Sequence, residues 1–218
     1  MRIKLDLHVH TVHSFDGTID PEGLRAACRE KGLAGAAVTD HDSLRGGLEF
    51  AAELPDLLIV PGSEIRSAEG EIIGLFLHED VPPGLSAPET MRRIHAQGGL
   101  VLIPHPFDLV KLRRMNARRL LELREEIDAI EGVNGKPRWW FANSTARDFA
   151  AEHGFAVTGG SDAHKAEHVG VVYTEMEEFT TRAEFRAALS NAEPGGKRYS
   201  PWASQLDRWR ARAGKNVP

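Results

Sequence analysis

Two histidines one residue apart stand near the start of the 218-residue chain, in Asp6-Leu7-His8-Val9-His10-Thr11. Along an extended strand, side chains alternate between the two faces. His8 and His10 therefore share one face, and Leu5, Leu7 and Val9 share the other. Two imidazoles side by side at a strand end can hold one cation, since histidine is the commonest metal ligand. Read alone, such a pair fits ordinary packing as well. Downstream, however, the chain carries Asp40-His41, Glu64, His105, Glu131 and Asp162-Ala163-His164. These are the nitrogen and oxygen donors that zinc, manganese and iron accept. They are too many for one ion, so the set predicts two or three divalent metals. Closely spaced metals are a standard device of phosphoryl transfer.

The elements that must position these residues are short. Residues 2–9 read as a first strand, and runs at 33–39, 57–60, 100–103, 127–131 and 155–158 as further strands. Asp20-Pro21 opens a helix, with Asp20 as N-cap and Pro21 in the first turn, and Gly32 closes it. Asp42 or Ser43 is a candidate cap for the next helix, over 44–54. More helices are predicted over 87–97, 116–126, 143–153 and 181–191, and a last strand over 169–173. Residues 71–77 fit either another barrel strand or one arm of a hairpin turning at Glu69-Gly70. Strand, loop and helix recur about seven times, with strands apolar on both faces, which favours a closed α/β barrel. The candidate ligands fall at the C-terminal ends of their strands, where such barrels build active sites.

Six motifs in order carry a family resemblance. They are Asp6 to Thr11, Ser14-Phe15-Asp16-Gly17, Thr39-Asp40-His41, Gly62-Ser63-Glu64-Ile65, Pro104-His105-Pro106 and Gly160-Ser161-Asp162-Ala163-His164. Over residues 3 to about 172 the chain resembles the polymerase-and-histidinol-phosphatase (PHP) family. The resemblance implies a distorted seven-stranded β/α barrel and metal-dependent hydrolysis of phosphate esters. It implies one metal on His8, His10, Glu64 and Asp162, with Glu64 bridging to a second metal on His105. Asp16, His41 and His164 would hold a third. One position departs from the pattern: where the family often has His-Ile-Leu-Gly, this chain has Glu71-Ile72-Ile73-Gly74.

Several residues keep two readings. Asp16-Gly17 is a turn dipeptide on its own and a ligand under the resemblance. Asp40 is a ligand or an acceptor that orients an imidazole, and it is grouped with His41 as catalytic. His41 or His164 is a candidate proton donor to the leaving oxygen. Glu131 either ligates or satisfies backbone amides, and Asn134 either binds substrate or holds a turn. Arg66 either clamps a phosphate or forms a surface ion pair. The basic run Lys111, Arg113, Arg114, Arg118 and Arg119 is a solvated face or a polyanion contact. Trp139 and Trp140, and the tail residues Trp202, Leu206, Trp209 and Ala213, suit packing or base stacking.

A net charge of −5 argues against binding to nucleic acid through bulk charge. The single cysteine, Cys28, excludes an internal disulfide framework. No apolar run has membrane-spanning length and no signal-peptide pattern opens the chain, so a cytoplasmic protein is expected. The expected organisation is a metal-dependent hydrolase domain over 1–194 and a basic tail over 195–218. The substrate class is a small phosphorylated compound or nucleotide. Nucleic-acid ends, an amidohydrolase-type reaction and a non-enzymatic metal-holding module are the alternatives. The oligomeric state stays open.

Overall fold

A computed structural model describes residues 1–111, 113–136 and 141–197. Nine strands alternate with six α-helices: β1 (Arg2–Val9), α1 (Pro21–Lys31), β2 (Gly35–His41), α2 (Arg45–Glu53), β3 (Leu58–Arg66), β4 (Glu71–Leu75), α3 (Ala87–Ala96), β5 (Leu100–Ile103), α4 (Ala117–Glu122), β6 (Ala129–Asn134), α5 (Ala142–His153), β7 (Val157–Gly160), β8 (Val172–Glu177), α6 (Arg182–Ala188) and β9 (Glu193–Gly196). Local sequence sets several helix ends. Asp20 accepts the Gly23 N–H at the start of α1, and Gly32 closes it with φ of 64°. Thr181 and Glu184 form a capping box on α6. The caps proposed for α2 differ. Its N-cap is Leu44, whose N–H goes to Asp80, and Asp42 is turned to Arg66 instead. Trp139, Trp140 and the tail residues Trp202 to Ala213 lie outside the described residues.

The strands form one sheet in the order β7-β6-β5-β4-β3-β2-β1-β8-β9. β1, β2 and β3 pair in parallel, as do β5, β6 and β7. β4 runs antiparallel to both β3 and β5, so the hairpin reading of residues 71–77 holds. The physical reason is the link between β3 and β4. The Ser67–Gly70 turn is closed by the Ser67 hydroxyl donating to the Gly70 carbonyl, and it is far too short for a parallel crossover. The strand count is nine where seven were expected, because β8 and β9 add an antiparallel extension beside β1.

β8 pairs only with the first half of β1, Arg2 to Leu5. The second half of β1 is left to meet the end of β7, which nearly closes the barrel. Val9 bridges to Ala163, and the His10 N–H donates to the Ala163 carbonyl at 2.8 Å. Lower down, the Thr174 hydroxyl of β8 exchanges hydrogen bonds with Gly159 of β7. Asp6 completes the seam, accepting the N–H groups of Ser161 at 2.9 Å and Gly170 at 2.7 Å. Burial pushes the Asp6 carboxyl up to about 6, against the pull of the amides it accepts.

β1 is not a regular strand. Its register against β2 slips between Asp6↔Ala36 and Val9↔Val38, so β1 carries one extra residue. Strict alternation would put Leu5 and Leu7 opposite to His8. Instead Leu5 and Leu7 join Val60, Ile73, Leu102 and Ala129 in the barrel interior. Glu64 shares its strand face with Val60, as Glu131 does with Ala129, so His8 meets these acids directly above the apolar floor. Bulges beside active sites re-aim side chains in this way.

Removing the Asp6 carboxylate leaves three buried amides, those of His8, Ser161 and Gly170, without this partner. Asp6→Ala is expected to cost roughly 2–4 kcal/mol of stability, read as a lower urea midpoint with unchanged slope.

Candidate metal centre

Six parallel strands bring their C-terminal ends to one rim, and most of the side chains there are buried. His8 and His10 close β1, His41 ends β2, and Glu64 lies near the end of β3. His105 follows β5, Glu131 lies within β6, and Asp162 and His164 follow β7. His8, His10, Glu64, His105, Glu131 and Asp162 are all buried. His105 and Asp162 have φ of 32° and 54°, in the left-handed region that non-glycine residues seldom adopt. Such strain persists where the surroundings fix it. For His105 the fixing contact is its N–H donating to Glu131 Oε2 at 2.8 Å.

The polar atoms converge in a small space. His8 Nε2 and His10 Nε2 are 3.1 Å apart. Glu64 lies between the rings, with Oε1 3.0 Å from His105 Nε2 and 3.6 Å from His8 Nε2. Its Oε2 is 3.4 Å from His10 Nε2 and 3.1 Å from His41 Nδ1. Asp162 Oδ1 is 3.6 Å from His10 Nε2 and 3.9 Å from His8 Nε2. Asp16 Oδ2 is 3.1 Å from His164 Nε2. Donors bound to one ion at about 2.1 Å stand about 3–3.5 Å from each other, which is the spacing seen here. Three groups could hold an ion: His8 with His10 and Asp162, His8 with Glu64 and His105, and His10 with His41 and His164.

The hydrogen bonds around the first two rings fix their tautomers. Glu131 Oε1 lies 3.1 Å from His8 Nδ1, and its Oε2 accepts the His105 N–H and the Asn134 Nδ2–H. Ser14 Oγ gives its proton to Asp40 Oδ1 at 2.7 Å, so toward His10 Nδ1 at 3.3 Å it accepts. Both Nδ1 atoms therefore carry protons, so two neutral rings would set their Nε2 lone pairs against each other at 3.1 Å. The pair needs shared positive charge, either a proton on His8 or a cation. The acids respond to the same demand. Burial opposes a charged His8, but Glu131, Glu64 and Asp162 outweigh it and hold its pKa well above the usual value. Burial holds His10 well below it. Against the cost of burial, His8, His105 and His41 keep Glu64 far down in the ionised range. Asp162 is likewise ionised, through Lys111 first, then His8, Lys136 and His164. His41 Nδ1 and His105 Nδ1 are buried without a hydrogen bond, the former beside the Glu64 carboxylate but off hydrogen-bond geometry. Crowded Nε2 atoms, ionised acids and orphaned ring nitrogens together fit a set built for divalent cations.

Close packing defends this arrangement. A Cβ on Gly160 would stand 2.5 Å from the His8 Cβ and 2.7 Å from Glu131 Oε1, so only glycine lets those two meet. Above the ligands opens a cavity of 320 Å³ lined by Asp16, His41, Glu64, Glu71, Asp162 and His164 on one side. Lys111, Arg113 and Lys136 line it too. Lys111 Nζ is 2.5 Å from Asp162 Oδ2, and Lys136 Nζ is 3.2 Å from His164 Nδ1. Phe15, 80% exposed, stacks on His41 with centroids 5.0 Å apart.

Several sequence-based roles change. Asp40 touches no reacting position: it accepts the Thr11 N–H, Thr11 hydroxyl and Ser14 hydroxyl, holding the loop that orients His10. Glu131 is the acceptor behind His8, turned away from the cavity. Asn134 does not face substrate either. Its amide donates to Glu131 and its Oδ1 accepts the Lys136 N–H, so it holds the turn after β6. Arg66 is not on the cavity wall, because Asp42 binds its backbone N–H and its guanidinium. Among the described residues, the cations lining the cavity are Lys111, Arg113 and Lys136. Lys111 and Arg113 were visible only as part of a basic run, and Lys136 carried no signal beyond following Asn134-Gly135. Arg118 and Arg119 pair with Glu122 on the surface. Ser14 stood within a motif without a role of its own.

Residues 6–72 match the family model described as the PHP domain, and residues 140–194 match the one described as PHP-associated. An uncharacterized protein of Methanocaldococcus jannaschii is 37% identical over 180 residues, covering 81% of this chain and 71% of that protein. Among solved structures, a two-domain Bacteroides vulgatus protein with a PHP-like metal-dependent phosphoesterase superposes with a TM-score of 0.74 at 20% identity. That match covers 90% of this chain and 65% of the other. The lesion-specific endonuclease Q of Pyrococcus furiosus matches with a TM-score of 0.60 at 16% identity, over 89% of this chain and 58% of that one. These two structures share the fold.

The groups behind the rings should matter for metal uptake without touching it. Glu131→Gln and Ser14→Ala are each expected to weaken divalent-metal affinity about 10–100-fold, by calorimetric titration of chains whose circular dichroism is unchanged.

Proposed function

The chain belongs to the PHP family, and we propose that it is a metal-dependent phosphoesterase acting on phosphate esters at a two- or three-metal centre. The observation that carries this reading is the His8–His10 pair, whose Nε2 atoms meet at 3.1 Å among ionised acids. His8, His10, Glu64 and Asp162 are the proposed ligands of one ion. His105 would hold a second together with Glu64, one of whose carboxylate oxygens faces His8 and His105 and the other His10 and His41. Asp16, His41 and His164 are the proposed ligands of a third. Manganese, zinc and iron all suit these donors. Divalent cations in such a set supply Lewis-acid polarisation of phosphoryl oxygen and a nucleophile at neutral pH.

The chain's own residues supply the rest. Lys111, Arg113 and Lys136 offer positive charge to phosphoryl oxygens entering the cavity. Lys111 holds its proton firmly, since Asp162, Glu64 and Glu131 outweigh the effect of burial. It therefore binds anions rather than giving up a proton. In the two-metal form His41 is the proton donor to the leaving oxygen: it lines the cavity, and Glu64, Asp16 and Glu71 favour its charged form over the cost of burial. In the three-metal form it is a ligand instead. No serine or cysteine nucleophile is needed.

A second reading, action at nucleic-acid ends, draws support from Phe15. An exposed aromatic ring stacked beside the cavity can take a base on its free face. A panel of phosphomonoesters, nucleotides and short oligonucleotides separates the two, phosphate release supporting the first reading and strand shortening the second.

His8→Ala and Asp162→Ala are expected to lower kcat/KM by at least about a thousandfold while the fold survives. A purified protein without transition metal, whose hydrolysis ignores chelators, would sink the proposal. Lys111→Met should raise KM for phosphomonoesters about tenfold or more, read from initial rates.

A further inference from the structure

Glu71 has no task in the mechanism above. It begins β4, opposite Arg66 in the β3–β4 ladder, and its side chain is 12% exposed where it lines the cavity. A carboxylate so enclosed ordinarily has a lysine, arginine or amide donor. Among the described residues Glu71 has none: Lys111 shares the cavity but gives its ammonium to Asp162 Oδ2, and Arg66 is taken by Asp42. The near neighbour of the Glu71 carboxylate is His105 Nε2, 3.8 Å from its Oε2 and beyond hydrogen-bond reach. That same nitrogen lies 3.0 Å from Glu64 Oε1. The other ring nitrogen, Nδ1, is buried without a partner. Two carboxylates thus flank one imidazole nitrogen, with no donor assigned to the outer one.

The opposite end of the centre is chemically different. There His41 and His164 stand with Asp16, and His10 Nε2 also lies within reach of the same ion, so imidazoles outnumber carboxylates. Carboxylate oxygen suits manganese and other hard ions, whereas imidazole suits zinc. We infer that Glu71 is a metal ligand which, with Glu64 and His105, makes one end of the centre favour a hard divalent ion such as Mn(II), while the imidazole-rich end favours zinc. A glutamate here adds an oxygen donor and a negative charge where a histidine would add a neutral nitrogen. The inference rests on the metal-dependent reading of the preceding subsection, and it names the ions that reading left open.

The test is a competition read by metal content, independent of catalysis. Metal-free full chain is dialysed against manganese in large excess over zinc, and bound metals are counted by mass spectrometry, with the Mn(II) resonance as a second readout. The wild-type chain should retain both metals together. Glu71→Gln should lose manganese, and Glu71→His should exchange it for zinc, each lowering the manganese-to-zinc ratio about tenfold or more. Folded variants with the wild-type ratio would overturn the inference and leave the phosphoesterase reading intact. Should a variant misfold, the wild-type competition decides: zinc at every site despite the excess of manganese overturns the inference. A wild-type chain that binds no metal would remove both the inference and the reading beneath it.

Discussion

Positive charge is the partner around which this molecule is arranged. Two imidazole Nε2 atoms point at each other inside a buried rim where Glu64 and Asp162 are both held ionised. In a region of low polarity, neither the crowded ring nitrogens nor the adjacent carboxylates are stable without positive charge among them. Nearly every feature of the upper barrel serves to keep these donors from escaping that confrontation. Glu131 prevents His8 from turning, and the Asp40–Ser14 relay prevents His10 from doing so. Gly160 removes the one side chain that would separate His8 from Glu131.

The backbone carries the same burden. A regular β1 would have sent His8 to the side opposite Leu7. The extra residue between Asp6 and Val9 lets both point inward, so an apolar floor and a polar rim are built from one strand. β8 covers only half of β1, and that partial pairing leaves the strand end free to meet the loop after β7. Asp6 then ties that loop from outside, through Ser161 and Gly170, and so sets where Asp162 and His164 stand. Barrel closure and assembly of the donor set are one event, because His10 and Ala163 join by the same backbone bond that seals the seam.

Around the donors the charge is divided by position. The cavity lining joins the acids and imidazoles to Lys111, Arg113 and Lys136. Positive charge on the lining is the electrostatic pattern that phosphoryl transfer requires. The β3–β4 hairpin adds a cavity acid, Glu71, near His105, with no hydrogen-bonded donor among the described residues.

The alternation of short apolar strands and capped helices, and the donors at the strand ends, were legible in the chain itself, since both depend on local spacing. Asp20-Pro21 and Gly32 bound α1 by local hydrogen bonds alone, and six ordered motifs were enough to place the family. The direction of β4, the count of nine strands and the bulge in β1 were not legible, because they follow from which strands meet across the barrel. The same divide separates the roles of single residues. His8, His10, Glu64, His105 and Asp162 could be picked out by type and position. That Glu131 and Asp40 stand behind rings, that Arg66 is held by Asp42, and that Lys136 reaches the cavity depended on partners supplied by distant segments. A side chain's type states which bonds it can make, and only the closed barrel decides which partner is within reach.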